Sequence, residues 1–278
     1  MHDIKDNEAM QLFLEFLNGQ MNQPELYGSF KASWFHYLAL LLVCFGSVMA
    51  ITRMKDISEK KLNRILMIFS ITLVLFEVYK QVIFTYQAAG DYQWYAFPFQ
   101  FCSTPMYVGL AASLIKHKKI KHALLSFLAT FGLFAGLAVV LYPSTVFIST
   151  IGINIQTMVH HGGMAIIGIG LLAHHIKLKW SSLIQAALVF ALLLGLAIGM
   201  NAIFNTWIQD GTFNMFFINP RFENGVPVLS LFQPLVPHAI FVLIYLFGFT
   251  LCASIVFGGR LIISKMVLSK RETVYQKA

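Results

Sequence analysis

Cys102 is the side chain in this sequence best suited to covalent chemistry, and the histidine pair His160 and His161 is the base that such chemistry would need. A free thiol has a pKa of about 8.5, so at neutral pH it requires a base or a positive environment to form the reactive thiolate. Cys102 follows Gln100 at the predicted start of a helix, where free backbone N–H groups favour a thiolate or an oxyanion. The sequence therefore predicts a catalytic pair of Cys102 and His160.

The same residue types also have simpler interpretations, which the sequence leaves open. A cysteine in an apolar helix is more often a small packing residue than a nucleophile, and we assign Cys44 and Cys252 to that class. Histidines that are adjacent on a helix point about 100° apart, so only one of His160 and His161 is expected to face a given partner. The other is expected to bond the backbone or an amide side chain.

Further polar residues are predicted to support the pair, because polar side chains inside a membrane protein are expected to face the interior of the bundle. Asn201 and Asn205 lie four residues apart, on one helix face, and either would serve as an oxyanion donor. Glu77 forms an i, i+3 pair with Lys80, which would act as a structural clasp or handle protons. The predicted supporting residues are His161, Glu77, Asn201, Asn205, His36 and Gln100.

The elements that position these residues are predicted to be transmembrane helices. The chain is 58% hydrophobic and only 12% charged, against about 25% charged residues in a typical soluble domain. Its apolar residues form continuous blocks of about 20, the length that a helix needs to cross a bilayer. We predict an all-α polytopic bundle of about seven spans, at about 33–52, 65–88, 97–115, 122–143, 154–173, 181–206 and 235–257.

The distribution of basic residues predicts the orientation of these spans. Loops 53–64, 116–121 and 174–180 and the C-terminal tail together hold 16 of the 20 Lys and Arg residues. Because positive charge beside a helix end resists translocation, these segments are expected in the cytoplasm. We accordingly predict an extracytoplasmic segment 1–32 with a possible interfacial helix, a seven-helix domain 33–257, and a basic cytoplasmic tail 258–278. This arrangement predicts a multi-pass protein of the cell membrane.

These span directions put most of the polar candidates in one layer. Cys102 is expected roughly 8 Å, and His160 roughly 9 Å, below the outer ends of their spans. His36 and the two asparagines lie near outer ends of spans as well. The sequence thus predicts a polar cavity that opens towards the outer leaflet.

Several functional classes are not expected. The net charge of +8 resides in loop anchors that would contact lipid headgroups, so nucleic-acid binding is not expected. No motif indicates a cofactor or a metal site, and the cysteines fall within spans, which argues against a disulfide framework. Oligomeric state cannot be read from the sequence. Two Gly-x-x-x-Gly motifs, at Gly132 and Gly136 and at Gly195 and Gly199, indicate close helix packing.

The order of these motifs resembles the YwaF-like family of multi-pass membrane proteins. The matching features are Trp34-Phe35-His36 at span one, Glu77 late in span two, and the entrance Phe97 to Cys102. They continue with Val159-His160-His161-Gly162 in span five, Gly211 to Met215 within the segment 205–217, and Pro234 and Pro237 before span seven. Together these motifs cover most of residues 33–257.

The resemblance implies a function, because in eukaryotes the family includes an acyltransferase that makes ether phospholipids. Its implied catalytic pair is a Cys at the entrance of span three and a His in span five, which Cys102 and His160 match. The expected function is a membrane-embedded lipid acyltransferase or hydrolase, with membrane lipids as substrates and no cofactor. The alternatives are a small-solute or proton-coupled transporter, in which Glu77, Lys80 and the histidines form a relay, and a non-catalytic membrane protein.

Overall fold

A computed structural model describes residues 2–209 and 211–275, and this part of the chain is helical without β-strands. Six helices are long and apolar enough to cross a membrane, which confirms the predicted all-α membrane architecture at that level. Their outer surfaces expose large apolar side chains such as Leu42, Leu188 and Phe247. The helices are α1 His2–Leu17, α2 Phe30–Arg53, α3 Glu59–Gln87, α4 Thr104–Leu114, α5 Lys118–Leu141, α6 Ile151–His174, α7 Trp180–Ile208, α8 Leu229–Phe232 and α9 His238–Tyr275.

Five of the six long helices have bounds close to those of predicted spans; the end of α9 and the predicted third span differ. The predicted cytoplasmic tail from residue 258 continues as helix, since α9 extends without a break to Tyr275. The predicted third span at 97–115 is not one helix; only Phe101–Leu114 is helical, as a 3₁₀ turn followed by α4. A helix of that length rises roughly 21 Å, less than the roughly 30 Å of a hydrocarbon core.

Pro98 explains why this helix starts late. Proline has no N–H to donate, and its ring disfavours helical geometry in the preceding residue. Phe97 accordingly has φ −48° and ψ 135°, and Gln100 is extended at φ −75° and ψ 161°. The Tyr107 hydroxyl donates a 2.8 Å hydrogen bond to the Pro98 carbonyl oxygen, which fixes the extended segment against α4.

This broken segment runs antiparallel along α3. The Gln81 amide donates to the carbonyl oxygen of Ala96 at 2.7 Å, and Gly109 leaves no room for a side chain next to Ser70. Further along, the Lys121 ammonium lies 2.7 Å from the carboxylate of Glu59, the first residue of α3. Residues 96–121 thus return along the helix from residue 81 to residue 59.

The segments rich in basic residues meet at one end of the bundle, which we call the basic end. His174 donates to the Ile51 carbonyl oxygen at 2.7 Å, and Arg260 donates to the Ala173 carbonyl oxygen at 3.2 Å. The Lys121–Glu59 pair joins the first turns of α3 and α5 at the same end.

The N-terminal segment crosses the opposite end and pairs with the loop before α6. Gln20 forms an isolated antiparallel bridge with Thr150, and Met21 N–H donates to the Ser149 carbonyl oxygen at 2.7 Å. Thr150 also accepts a 2.8 Å hydrogen bond from the amide of Gln87, at the end of α3. The start of the chain is therefore attached to the ends of α3 and α6.

Gly136 lies at a close approach of α5 and α6. A Cβ atom on Gly136 would lie 2.6 Å from the His161 carbonyl oxygen and 2.8 Å from the Ala165 nitrogen, both backbone atoms. This confirms close packing for Gly136, whereas a Cβ on Gly132 would meet its nearest neighbour at 3.7 Å, an ordinary contact. The same prediction is wrong for Gly195 and Gly199, because a Cβ there would meet no atom within 4 Å.

We therefore expect Gly136→Ala to lower the thermal unfolding midpoint of the purified protein in detergent. The added methyl group would push apart two backbones, and overpacking of this kind costs typically about 1–3 kcal/mol. Gly199→Ala is the matched control, and it should leave the midpoint unchanged or raise it through better helix propensity. Equal midpoints for the two variants would contradict the close contact.

Candidate functional site

His160 and Cys102 are brought together by a hydrogen bond. The Nε2 of His160 lies 2.9 Å from the carbonyl oxygen of Cys102. Because a carbonyl oxygen only accepts, Nε2 must carry the proton, and Nδ1 holds the lone pair of the neutral ring. Nδ1 is buried and has no hydrogen-bond partner in the described chain. An imidazole with an unoccupied basic nitrogen is thus fixed to the backbone of the half-buried Cys102.

The position of this carbonyl follows from the 3₁₀ turn Phe101–Ser103. The Thr104 hydroxyl donates to the Phe101 carbonyl oxygen at 2.8 Å and so stabilises the turn from the first residue of α4. The neighbouring carbonyl of Cys102 is directed to α6 and meets the His160 ring there. The sequence indicates a helix start at this place but not the turn that orients Cys102.

His161 and His36 repeat the same pattern of bonding. His161 Nδ1 donates to the Thr157 carbonyl oxygen at 2.8 Å, one turn earlier on α6, and its Nε2 is buried without a partner. His36 Nε2 donates to the Val140 carbonyl oxygen at 3.0 Å, and its Nδ1 is likewise unpartnered. A buried acceptor without a partner costs about 1–3 kcal/mol, so these atoms are places where water or a ligand would be stabilised.

Of His161 and His36, only His161 is near the candidate pair of Cys102 and His160. The ring centroids of His160 and His161 are 5.3 Å apart. As expected for adjacent histidines, they have different partners: His160 contacts Cys102, and His161 bonds its own helix. His36 instead packs between Tyr27 and Phe147, in a separate small apolar cluster near the start of α2.

Glu77 forms the predicted pair with Lys80, and its contacts lead to the segment before Cys102. Its Oε1 lies 2.6 Å from the Lys80 ammonium and accepts a 2.8 Å hydrogen bond from Gln81. Gln81 also donates to the Ala96 carbonyl oxygen and accepts from the Tyr92 hydroxyl at 2.8 Å. None of the hydrogen bonds of Glu77 in the described chain reaches His160 or His161, so the structure does not bring Glu77 into contact with the base.

Gln100 and Asn201 hold a loop over the turn that carries Cys102. Gln100 donates to the Asn214 carbonyl oxygen at 3.0 Å and accepts from the Phe216 N–H at 2.9 Å. Asn201 donates to the carbonyl oxygen of Met215 at 3.0 Å and accepts from its N–H at 2.9 Å. Both ends of each amide are therefore occupied by backbone of this loop.

Asn205 serves the same loop, residues 213–219, through Asn219. The two amides exchange a pair of hydrogen bonds of 2.9 Å each. The Asn219 side-chain amide also donates to the Phe213 carbonyl oxygen at 2.7 Å, and its backbone N–H donates to Asn214 Oδ1 at 2.8 Å. Asn214 and Asn219 were not identified as site residues from the sequence, although asparagines of this kind commonly stabilise turns through side-chain to backbone hydrogen bonds.

Phe216 occupies a strained position in this loop. Its φ of 58° lies in the left-handed region, which costs a bulky residue on the order of 1–3 kcal/mol. The side chain is fully buried, and its ring packs against Phe101, Phe190 and Tyr245. The amides of Gln100 and Asn201 hold the backbone that leads into this strained residue, from the Asn214 carbonyl to the Phe216 N–H.

Cavities are found away from Cys102. One of about 260 Å³ lies at the basic end, and another of about 520 Å³ lies along the N-terminal segment from Met21 to Trp34. Neither is lined by Cys102 or His160. Within residues 2–209 and 211–275, no three His, Cys, Asp or Glu side chains are grouped in a way that could hold a metal ion.

If Asn201 fixes the loop, Asn201→Leu should loosen it without unfolding the helices. The variant removes the partner of the buried Met215 N–H, at a cost of about 1–3 kcal/mol, and leaves the Met215 carbonyl with only the 3.4 Å bond from the Ile218 N–H. We expect faster tryptic cleavage after the exposed Arg221, measured in detergent by mass spectrometry of the fragments.

Thr206→Val is the control for this variant. Its hydroxyl bonds only the Ala202 carbonyl oxygen of its own helix, so cleavage after Arg221 should keep the parental rate. The role of Asn201 would be contradicted by cleavage of Asn201→Leu at that same rate.

Comparison with known proteins gives one match. No curated protein and no solved structure matches the chain significantly. The model of the TMEM164 family matches residues 30–258, whereas the resemblance to the YwaF-like family stays a prediction. The matched range begins with α2, includes Cys102 and His160, and extends into α9. Because it covers more than half of the sequence, the chain belongs to the TMEM164 family of transmembrane proteins.

Proposed function

We propose that this protein is a membrane-embedded acyltransferase or lipid hydrolase in which Cys102 carries the acyl group as a thioester and His160 is the base. The observation that supports this most directly is the 2.9 Å contact from His160 to Cys102, which leaves Nδ1 as the free basic nitrogen. Nucleophilic catalysis requires a thiol and a base with a free lone pair, and Cys102 and His160 supply these two groups on contacting elements. The thiol and Nδ1 are not hydrogen-bonded in this conformation, so the reaction requires the Cys102 side chain or the His160 ring to turn towards the other.

In the first half of the proposed reaction, His160 Nδ1 takes the proton of the Cys102 thiol. The sulfur attacks the carbonyl carbon of a lipid ester and forms a tetrahedral oxyanion. The carbon–oxygen bond to the alcohol then breaks, and the leaving oxygen takes the proton back from the imidazolium. The products are the acyl thioester on Cys102 and a lysolipid.

In the second half, a hydroxyl group attacks the thioester. His160 removes the proton of that hydroxyl, the carbon–sulfur bond breaks, and the thiolate recovers its proton from His160. A lysolipid as acceptor gives acyl transfer, and water gives hydrolysis. Asn201 and Asn205 are engaged by the 213–219 loop in this conformation, so their use as oxyanion donors requires that loop to move.

The proposal includes the topology predicted from the sequence: seven crossings of the cell membrane, with the N-terminus outside and the basic end in the cytoplasm. Support for seven crossings comes from residues 96–121, which run antiparallel along α3 from one end to the other although only part of them is helical. Support for the orientation comes from the positive-inside rule, applied to the segments that meet at the basic end. The third crossing then consists of an extended entrance followed by Phe101–Leu114.

Labelling of engineered cysteines in intact cells tests this topology. With a membrane-impermeant maleimide, Gly225→Cys should label at once because its loop lies outside. Lys119→Cys should label only after the membrane is permeabilised, and the parent protein is the background control. The reverse pattern would contradict the orientation. Labelling of both or neither in intact cells would contradict an odd number of crossings between the two positions, which the proposal gives as three (α5, α6 and α7).

The chemistry predicts an acyl adduct on Cys102. Purified protein incubated with a short-chain phospholipid should gain the mass of one acyl group, and hydroxylamine should remove it. Cys102→Ala should abolish the adduct, whereas Cys252→Ala, which changes another half-buried thiol, should leave it unchanged. His160→Gln keeps a donor for the Cys102 carbonyl but has no base, so we expect adduct formation to slow by about 100-fold or more.

The same variants distinguish this function from transport. An adduct that persists in Cys102→Ala would contradict the thioester mechanism. The transporter alternative would be favoured if proteoliposomes exchanged a small solute, if Glu77→Gln reduced the exchange, and if Cys102→Ala did not. Glu77 is the informative residue here, since it is buried and ion-paired inside a long apolar helix.

A further inference from the structure

A second polar site lies at the basic end, in the cavity of about 260 Å³. It is bounded by the first residue of α3, the first turns of α5, and the residue that follows α6. The whole of α4 separates it from the turn of Cys102. Its floor is apolar and its rim is polar: the lining residues are Ile57, Leu62 and Leu125, then Glu59, Lys118, Lys121, His122 and His175.

The positive charge of this cavity is only partly neutralised. Lys121 is buried, and its ammonium donates to Glu59 at 2.7 Å and to Asn63 at 2.6 Å. An ammonium has three N–H donors, so one of them stays available. Lys118 is exposed and has no ion pair or hydrogen bond from its ammonium group among the described residues. Glu59 is the one acidic group in the lining, so the two lysines exceed it by one charge.

His122 is held as a neutral ring by a backbone donor, and burial lowers the pKa of the His175 imidazole. His122 accepts from the Lys177 N–H at 3.3 Å through Nε2, so its Nδ1 carries the proton that it donates to Gln185. His175 donates through Nε2 to the Met54 carbonyl oxygen at 2.8 Å. Free positive charge is therefore concentrated on Lys118 and Lys121, at the positive end of the α5 dipole.

These features together define the chemistry of a ligand. An anion would satisfy the excess charge, and an attached hydrocarbon would cover the apolar floor. Basic pockets between helix ends at a membrane surface bind lipid phosphates in this way. We propose that the cavity binds the phosphate-bearing headgroup of an anionic lipid from the leaflet at the basic end. The bound lipid would bridge α3, α5 and the end of α6, independently of the reaction proposed at Cys102.

Thermal unfolding with a short-chain lipid tests this site. A ligand that binds only the folded protein raises its unfolding midpoint with concentration. We expect dioctanoyl phosphatidate to raise the midpoint of the purified full-length protein in neutral detergent. Lys118→Glu should weaken the apparent affinity about fivefold or more, as expected for loss of a lysine contact to a lipid phosphate. Lys119→Glu is the matched control, because it makes the same charge change at a lysine that does not line the cavity, and it should weaken the affinity less than about twofold.

Two further probes identify the ligand. Inorganic phosphate carries the anion without the chains, and dioctanoyl phosphatidylcholine carries the chains without net charge; neither should reproduce the shift. Lys118→Gln serves as a second variant if Lys118→Glu is unstable without lipid, and it should also weaken phosphatidate. The proposal is overturned if phosphatidate gives no shift, if Lys118 and Lys119 variants respond equally, or if either probe matches phosphatidate.

Discussion

A break in a helix inside an apolar bundle leaves backbone carbonyl groups that water cannot reach, and most of the site is arranged around satisfying them. The segment around the break at Pro98 has several such carbonyls, and three of them accept a hydrogen bond from a side chain. The Cys102 carbonyl is bonded by His160, that of Pro98 by Tyr107, and that of Ala96 by Gln81. These contacts stabilise the non-helical backbone here. His160 therefore stabilises the break in addition to the catalytic role proposed for it.

The same constraint explains which parts of the molecule could be predicted from the sequence. Long apolar blocks must become helices in a bilayer, so the ends of α2, α5 and α6 lie within a few residues of the predicted spans. Short polar interruptions depend on partners far along the chain. Gln100 was identified as a polar residue near Cys102, but its partner is a loop more than a hundred residues away. No local pattern around residue 100 or residue 214 encodes that contact.

In the candidate site, too, some features could be predicted from the sequence and others could not. Cys102 and His160 were found from residue type and depth, and the structure places their elements in contact. The roles expected of Asn201 and Asn205 came from the same reasoning, yet their amides bond the 213–219 loop. Nearby backbone groups compete with a substrate for the hydrogen bonds of a buried amide. Only the structure shows which backbone groups lie close enough to do so. The histidines kept a free nitrogen because one carbonyl satisfies only one side of an imidazole.

The bridge between Gln20 and Thr150 has a consequence for biosynthesis. Residues 18–23 leave the ribosomal tunnel before their partners at Ser149 and Thr150, which are synthesised about 130 residues later. Their final contacts cannot form until α2, α3 and α5 have been made and the start of α6 has followed. Residues 18–23 therefore stay without these partners during synthesis of the intervening helices. They can dock only after α2, α3, α5 and the start of α6 have assembled.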